Sequence, residues 1–485
     1  MPTVLQWVNL LLKQIEKQTA YAAPYEKRYN NEYVLPFLAK EYREVYGTEV
    51  DGVMWPGTLE SPRAGMAGIV VDALTERLIL RGWSAVDDDE AQRLLDAAWE
   101  DSALDVTHRE GHREALLGSR AFVSVHRAED SRQRAVVGVE SLTQMAVHRR
   151  PGPPYDVDVS LKVAPDEWTG RRRGLLRMPG YDIPLVEQDE ARADPEDPTH
   201  WSRWTWDPES VSETGMREVP VVELAHRRRL LKEPTSEIEQ IATSVDVVDL
   251  VDGLMVFAGH FGAVPIRYGT GITVPRDPKD SSKALLGPNG KPLLAFNPKA
   301  HHMWIDTNPE AKFGQLTPAG LASFVTWAEH ASGRIRAKTS LASTYFSLDL
   351  KSHMSAELLK TDEAPMMRRV RSIGMEGSLN ADWRKVGRWV LEIEDPGSKA
   401  RPQGRWADPE TRIETQQVDI VSKLVSAGMG VEAVATEVLD WSPEQIKAAV
   451  QEYEARQARV AEQGADPIGA ALLRDAGVIG SDTSA

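Results

Sequence analysis

In the stretch TSEIEQIATSVDVVDLVDGL, the apolar residues Ile238, Ile241, Val245 and Val248 recur every three to four positions, which predicts an amphipathic helix over 234–261. Thr235 or Ser236 offers an N-cap, and Glu237 and Glu239 fall in the first turn, where the helix dipole favours acid. Glu239 and Asp246 lie close together on a second face, Asp249 borders the two, and Asp252 falls on the apolar side. Such a stripe also suits an ordinary amphipathic helix with its wet face outward.

The same periodicity sets out the rest of the chain. MPTVLQWVNLLLKQIEKQ reads as a short amphipathic helix, the aromatic-rich text from Tyr25 to Gly47 as another, and SPRAGMAGIVVDALTERLILRGW as a third, stopped at Gly82. Two more helices and an alternating strand, AFVSVHR, are predicted between Asp88 and Arg127. From Ala135 to Glu223 the period shortens to two in VVGVESLTQMAVH and VDVSLKVA, separated by Pro-rich loops such as EQDEARADPEDPTHWSRW. After His260 come turns and short strands. Thr317-Pro318 opens a helix expected to reach Gly333, and the stretch bearing Arg334, Arg336 and Lys338 is expected to be a loop. A long helix from Ser355 carries Pro365, Gly374 and Gly377, so one or two bends are expected. The text beyond Pro396 reads as a linker before C-terminal helices, and the tail after Gln463 as mobile. The fold class is α+β.

Charge and composition narrow the chemistry. With 57 Lys and Arg against 73 Asp and Glu, the formal net charge of −16 disfavours a generally phosphate-binding or lipid-binding surface. Between Gly262 and Leu316, however, seven cationic residues face four acidic ones. Cysteine is absent from the 485 residues, which excludes disulfides, thiolate zinc sites and cysteine nucleophiles. No apolar run approaches bilayer-spanning length, and no secretion signal is evident.

Catalytic motifs fail one by one. The Gly290-Lys291 pair is followed by Pro292, where a phosphate loop needs Ser or Thr. His108 and His112 lack the adjacent Glu of a zinc-protease helix and read as a solvated face; His301-His302 would point to opposite sides of a strand. The acids from Glu187 to Asp197 lack the glycine and spaced ligands of a calcium loop and read as solvated. The basic runs RRRG (171–174) and HRRRLLK (226–232) lack nucleic-acid-binding context and are expected to neutralise neighbouring acids. No enzyme, cofactor or metal is expected. Among the 14 tryptophans, at least half are expected in the core, with others available as interface anchors.

The order of elements, together with the phrases YNNEYVLPFLAKEY, GIVVDALTERLILRGW, EPTSEIEQIATSVDVVDLV, LASTYFSLD, SAELLKTDEAPMMRRV and WADPETR, resembles the portal proteins of long-tailed double-stranded DNA phages. The resemblance covers about residues 20 to 450. It implies a portal fold: an N-terminal arm and α/β wing over 1–233, a stem helix at 234–261 and a small β-rich clip at 262–316. A second stem helix would take 317–333, a tunnel loop 334–352, a long wing helix 353–395, a linker and helical crown 396–462, and a flexible tail 463–485.

The implied function is a ring, dodecameric in virions, at one capsid vertex, through which double-stranded DNA is packaged and ejected without sequence specificity. The implied partners are other copies of the chain, the terminase large subunit, the major capsid protein and scaffold, and a head-completion adaptor. The location would be the virion, with assembly in the bacterial cytoplasm and no membrane. Each phosphate neutralised by Lys or Arg adds a counterion-release contribution that resists sliding, so acid toward the bore suits a conduit. On this reading Glu239, Asp246 and Asp249 line the channel, with Arg336 and Lys338 as sparse contacts. Thr344, Tyr345 and Phe346 lie in the tunnel loop, and Lys279, Lys283, Lys291 and Lys299 mark a docking surface. The competing readings are a terminase-like packaging enzyme, which needs a phosphate loop or clustered carboxylates, and a capsid protein that is not a conduit.

Overall fold

A computed structural model describes residues 2–33, 64–85, 88–128, 134–152, 156–230, 232–263, 267–271, 276–286, 309–315, 320–346, 356–410 and 423. The chain divides into two units, Met1–Trp406 and Ala407–Ala485; of the second, only 407–410 and 423 are described, so the architecture is that of the first unit.

The first helix, α1 (Val4–Tyr29), opens on a capping box in which the Thr3 hydroxyl accepts from the Gln6 amide and the Gln6 side chain accepts from the Thr3 amide. It buries Leu5, Val8, Leu11 and Ile15 on one face, each worth roughly 1.5–3 kcal/mol of transfer free energy. Then follow α2 (Met66–Thr75), strand β1 (Leu80–Ser84), α3 (Asp89–Asp101) and α4 (Leu104–Gly118). The expected helix to Gly82 is therefore too long. Its end is strand β1, because a partner strand more than 300 residues away recruits Leu80 and Trp83.

After α4 come β2 (Arg120–Arg127), β3 (Ala135–Ser141), β4 (Met145–Arg149), β5 (Val157–Pro165), β6 (Arg172–Met178), β7 (Tyr181–Ala193), β8 (Trp201–Thr205), β9 (Ser212–Glu213) and β10 (Val221–Ala225). They form an antiparallel three-stranded sheet, β10-β2-β3, and an antiparallel six-stranded sheet, β4-β5-β6-β7-β8 with β9 on β7. The long acidic loop expected after Glu187 is mostly strand, with a turn at 194–200. Its acids are not simply solvated: Glu187 pairs with Arg172, and Asp194 is buried. The α1 face packs on the large sheet against Leu161, Leu176, Leu185 and Trp204. Phe122, Met145, Val157 and Val221 share a smaller core with Ala22.

The second half holds α5 (Ala242–Ala263), β11 (Arg267–Thr270), β12 (Arg276–Asp277), β13 (Asp280–Ala284), β14 (Lys312–Gln315), α6 (Ala322–Thr339), α7 (Ala356–Ile373), α8 (Ser378–Glu394) and β15 (Gln403–Trp406). Short pairs β11-β14 and β12-β13 make the expected β-rich excursion between α5 and α6. The expected bent rod from Ser355 is two helices, with Pro365 inside the first. Gly377 makes the close passage at the break, since a Cβ there would lie 2.2 Å from the Ser372 carbonyl oxygen. The expected linker contains β15, which pairs antiparallel with β1.

Two helical cores result. Trp83, Trp99, Trp383, Leu95 and Val386 fill the space between α3, α8 and the small sheet. Val70, Leu74, Ile238, Ile241, Val245, Ile335, Met366 and Val370 join α2, α5, α6 and α7. Trp83, Trp99, Trp204, Trp383 and Trp389 are buried, whereas Trp168, Trp201 and Trp327 are exposed.

Candidate functional site

Helices α5 and α6 pack against each other and carry Asp246, Asp249, Arg336 and Lys338 from the charged positions singled out in the sequence. The entry to α5 differs from the expected cap. Ser236 does accept the Ile238 amide at 3.1 Å, but 237–241 is a turn and the regular helix starts at Ala242. Ile238, Ile241, Val245 and Val248 are all buried, as their spacing predicts.

The displaced first turn places Glu237 inside the protein. Its carboxylate accepts from His226 Nε2 at 3.0 Å, Arg227 Nε at 3.2 Å and Arg369 Nη2 at 2.6 Å. Burial alone would raise its pKa, but the His226 hydrogen bond and the neighbouring positive charges outweigh it and bring the pKa down to about 2. Burial lowers the pKa of His226 as well, so a neutral Nε2–H is the donor. Arg369 also donates to the Thr339 carbonyl, and Lys338 donates to the Gln240 carbonyl at 2.7 Å. One carboxylate thus joins the end of β10, the start of α5 and helix α7. By its position in the sequence Glu237 is an ordinary first-turn acid; the basic run from His226 is the signal that could have found its buried role.

The acid stripe lies against α1. Tyr21 donates to Glu239 at 2.9 Å, and Arg28 forks onto Asp246 with both contacts at 3.0 Å. Glu239 remains exposed and Asp246 half-buried. Asp249 is fully buried, accepting from the Tyr33 hydroxyl and, at 2.9 Å, from the Ala64 amide. A carboxylate with no exposed area cannot line a bore, so the expectation for Asp249 is corrected: it falls on the packed side of its helix. Nearby Asp252 has its pKa raised by burial and by the charge of Asp249.

Helix α6 does not stop at Gly333. It continues to Thr339 and ends at Ser340, which takes the left-handed conformation with φ of 59°. Arg334, Arg336 and Lys338 therefore stand on helical turns rather than in a loop, because 333 keeps helical geometry and the reversal comes seven residues later. Arg336 pairs with Asp362 of α7, whose other oxygen accepts from the Ser343 amide at 2.6 Å. Ser343–Tyr345 forms a single 3-10 turn containing Thr344, and Tyr345 and Phe346 pack partly buried against the α2-α5-α6-α7 core.

Lys279 is exposed on the β12-β13 hairpin, and Lys283 pairs with Asp280 at 3.2 Å. Lys291, Lys299 and the His301-His302 pair lie outside the described residues. The basic runs do neutralise acids: Arg171, Arg172 and Arg173 pair with Asp189, Glu187 and Asp166, and Arg228 with Asp382.

His108 and His112, expected on a solvated face, are buried, His108 beside Trp99 and His112 beside Trp383 and Trp406. His108 Nε2 accepts from the Leu80 amide at 3.2 Å; His112 Nδ1 donates to the Leu78 carbonyl at 2.9 Å. The spacing of four does put both on one face, but that face turns inward against β1 and α8. Among the described residues no group of three or more His, Asp or Glu could hold a metal ion, and no helix is long and apolar enough to cross a membrane.

No family model matches the chain. Two proteins align with it over most of its length. The portal protein of Mycobacterium phage L5 is 25% identical over 398 residues, covering 79% of this chain and 77% of its own. The portal protein of Mycobacterium phage D29 is 26% identical over 401 residues, with the same coverage. A chain in the neck of an empty gene transfer agent particle aligns over 83% of this chain and 94% of its own, at 10% identity and a TM-score of 0.42, too low to carry a fold argument. By sequence, the chain is similar to these two mycobacteriophage portal proteins over most of its length.

Proposed function

We propose that this chain is the portal subunit of a phage particle: copies close into a ring, twelve in the virion, at one capsid vertex, and double-stranded DNA passes through the middle. The observation that carries the reading is the continuous similarity to two portal proteins across 79% of the chain. No catalytic step belongs to the chain on this reading; the terminase large subunit would supply packaging work. The capsid protein and scaffold would surround the ring, and a head-completion adaptor would follow the terminase at the clip.

Within that reading, 1–233 and 353–395 form the wing, α5 and α6 the stem, and 262–316 the clip. The tunnel loop begins at Ser340, after the end of α6, and the crown follows 396. Glu239 keeps its proposed place toward the bore because its carboxylate is exposed. The Asp246–Arg28 pair presents little net charge, and Arg336 is largely neutralised by Asp362. A wall of this kind offers few cations to release phosphate counterions, which favours sliding over gripping. The exposed Lys279 and Lys283 suit a docking surface on the clip.

Electron microscopy of the purified full chain, together with mass measurement, tests the reading. Rings with an axial hole wide enough for a duplex are expected. A monomer that never assembles, alone or with capsid and scaffold proteins, would overturn it.

A further inference from the structure

Helix α6 buries one narrow face. Ala331, Ile335 and Thr339 are at most 1% exposed and face the core shared with α5 and α7. At 3.6 residues per turn, Val325 and Trp327 lie about 80° to either side of that face. Both are open to solvent, Val325 by 46% and Trp327 by 58%. The back of the helix between them is polar, with Thr326 and His330.

The flanks also differ in charge. Arg334 follows Trp327 by seven residues and shares its flank; Glu329 follows Val325 by four and shares the other. Both charged side chains are exposed. One flank is therefore apolar with the cations Arg334 and Lys338; the opposite flank is apolar with Glu329 and with Arg336, whose charge is met by Asp362 of α7 in the same copy. A two-fold contact would require one self-complementary flank, whereas two different and mutually complementary flanks suit head-to-tail contact with a copy on each side.

We propose that α6 is an inter-copy seam in which Trp327 of one copy rests on Val325 of the next while Arg334 faces Glu329 across the same contact. The proposal rests on the ring reading above and specifies which surface closes the ring. Helix side chains lean toward the N-terminus, so Arg334 reaches back toward the level of Glu329 when neighbouring helices stand side by side.

The cysteine-free chain makes the test clean. The full chain carrying Val325→Cys and Trp327→Cys together, treated with a short bifunctional maleimide, is expected to give a ladder of linked multimers, while each single variant stays unlinked. Dimers from a single variant would mean a two-fold contact and overturn the seam. Rings without linkage in the double variant would overturn the seam but leave the portal reading intact. Absence of rings in the unsubstituted chain would instead sink the portal reading. Should the double variant fail to assemble, Arg334→Glu decides: it is expected to lower the ring fraction about tenfold, a shift of about 1.4 kcal/mol, with recovery when Glu329→Arg is added. An unchanged ring fraction in Arg334→Glu overturns the proposal.

Discussion

The indole of Trp383 donates to Nε2 of His112 at 3.0 Å, and the other ring nitrogen of His112 donates to the Leu78 carbonyl. The ring is thereby fixed as the neutral Nδ1–H tautomer. Burial, reinforced by nearby His108, drives its pKa down to about 3. The unfolded chain takes up this proton near pH 6.5 and the folded chain only near 3, so between those values the unfolded state binds more protons and stability falls as pH falls. His112→Gln, which cannot titrate, should flatten the pH dependence of chemical denaturation between about pH 4 and 6 by up to one proton. An identical slope in the variant would contradict the burial argument.

Removing only the donor isolates the hydrogen bond. Trp383→Phe keeps most of the ring volume but leaves His112 Nε2 buried without its partner, which should cost about 1–3 kcal/mol in denaturant titration.

The Glu237 junction should be far more sensitive than an exposed ion pair. Glu237→Ala leaves Arg369 and Arg227 facing each other without the carboxylate, and Arg369 is largely buried. Loss of about 3–5 kcal/mol is expected, measured as a shift in denaturation midpoint. By contrast, Lys17→Ala, which removes a 3.9 Å contact with Glu233 between exposed side chains, should change little.

Small residues hold several helices close. A Cβ at Gly387 would lie 2.9 Å from the Trp83 ring and 3.0 Å from Pro402. Gly387→Ala should therefore cost about 1–3 kcal/mol through overpacking, against the gain in helix propensity that an open site would show. Gly333, where an added methyl group would meet open space, is the matching control and should be neutral or stabilised.

For the conduit, Glu239→Lys should leave ring formation intact but lower the number of DNA-filled particles per assembled ring, with the deficit easing as salt rises. Equal filling at low salt would remove Glu239 from the channel wall.

Legibility in the sequence tracks the range of the interactions. Ile238, Ile241, Val245 and Val248 declare their face because helix periodicity is local. The strands around Val123 and Leu161 announce themselves by alternation. By contrast β1 and β15 are short, lie far apart in the chain and become strands only by pairing, so locally one reads as helix and the other as linker. The acid stripe is visible as a pattern, but its fate is not: Arg28 and Tyr33, more than 200 residues away, decide which carboxylates stay wet. Likewise nothing local tells that Gly333 permits α6 to continue, since its C-terminal reversal is taken by a serine.

Along the first helix, Thr3 donates to Asp194, Gln6 donates to Asp197, and Asn9 meets His200, so three rungs repeat every three residues on both partners. Helix and turn mesh like a rack and pinion. Changing one tooth loses one rung, but adding a single residue within 194–200 throws the later teeth out of phase, so the length of that turn is held more strictly than its composition.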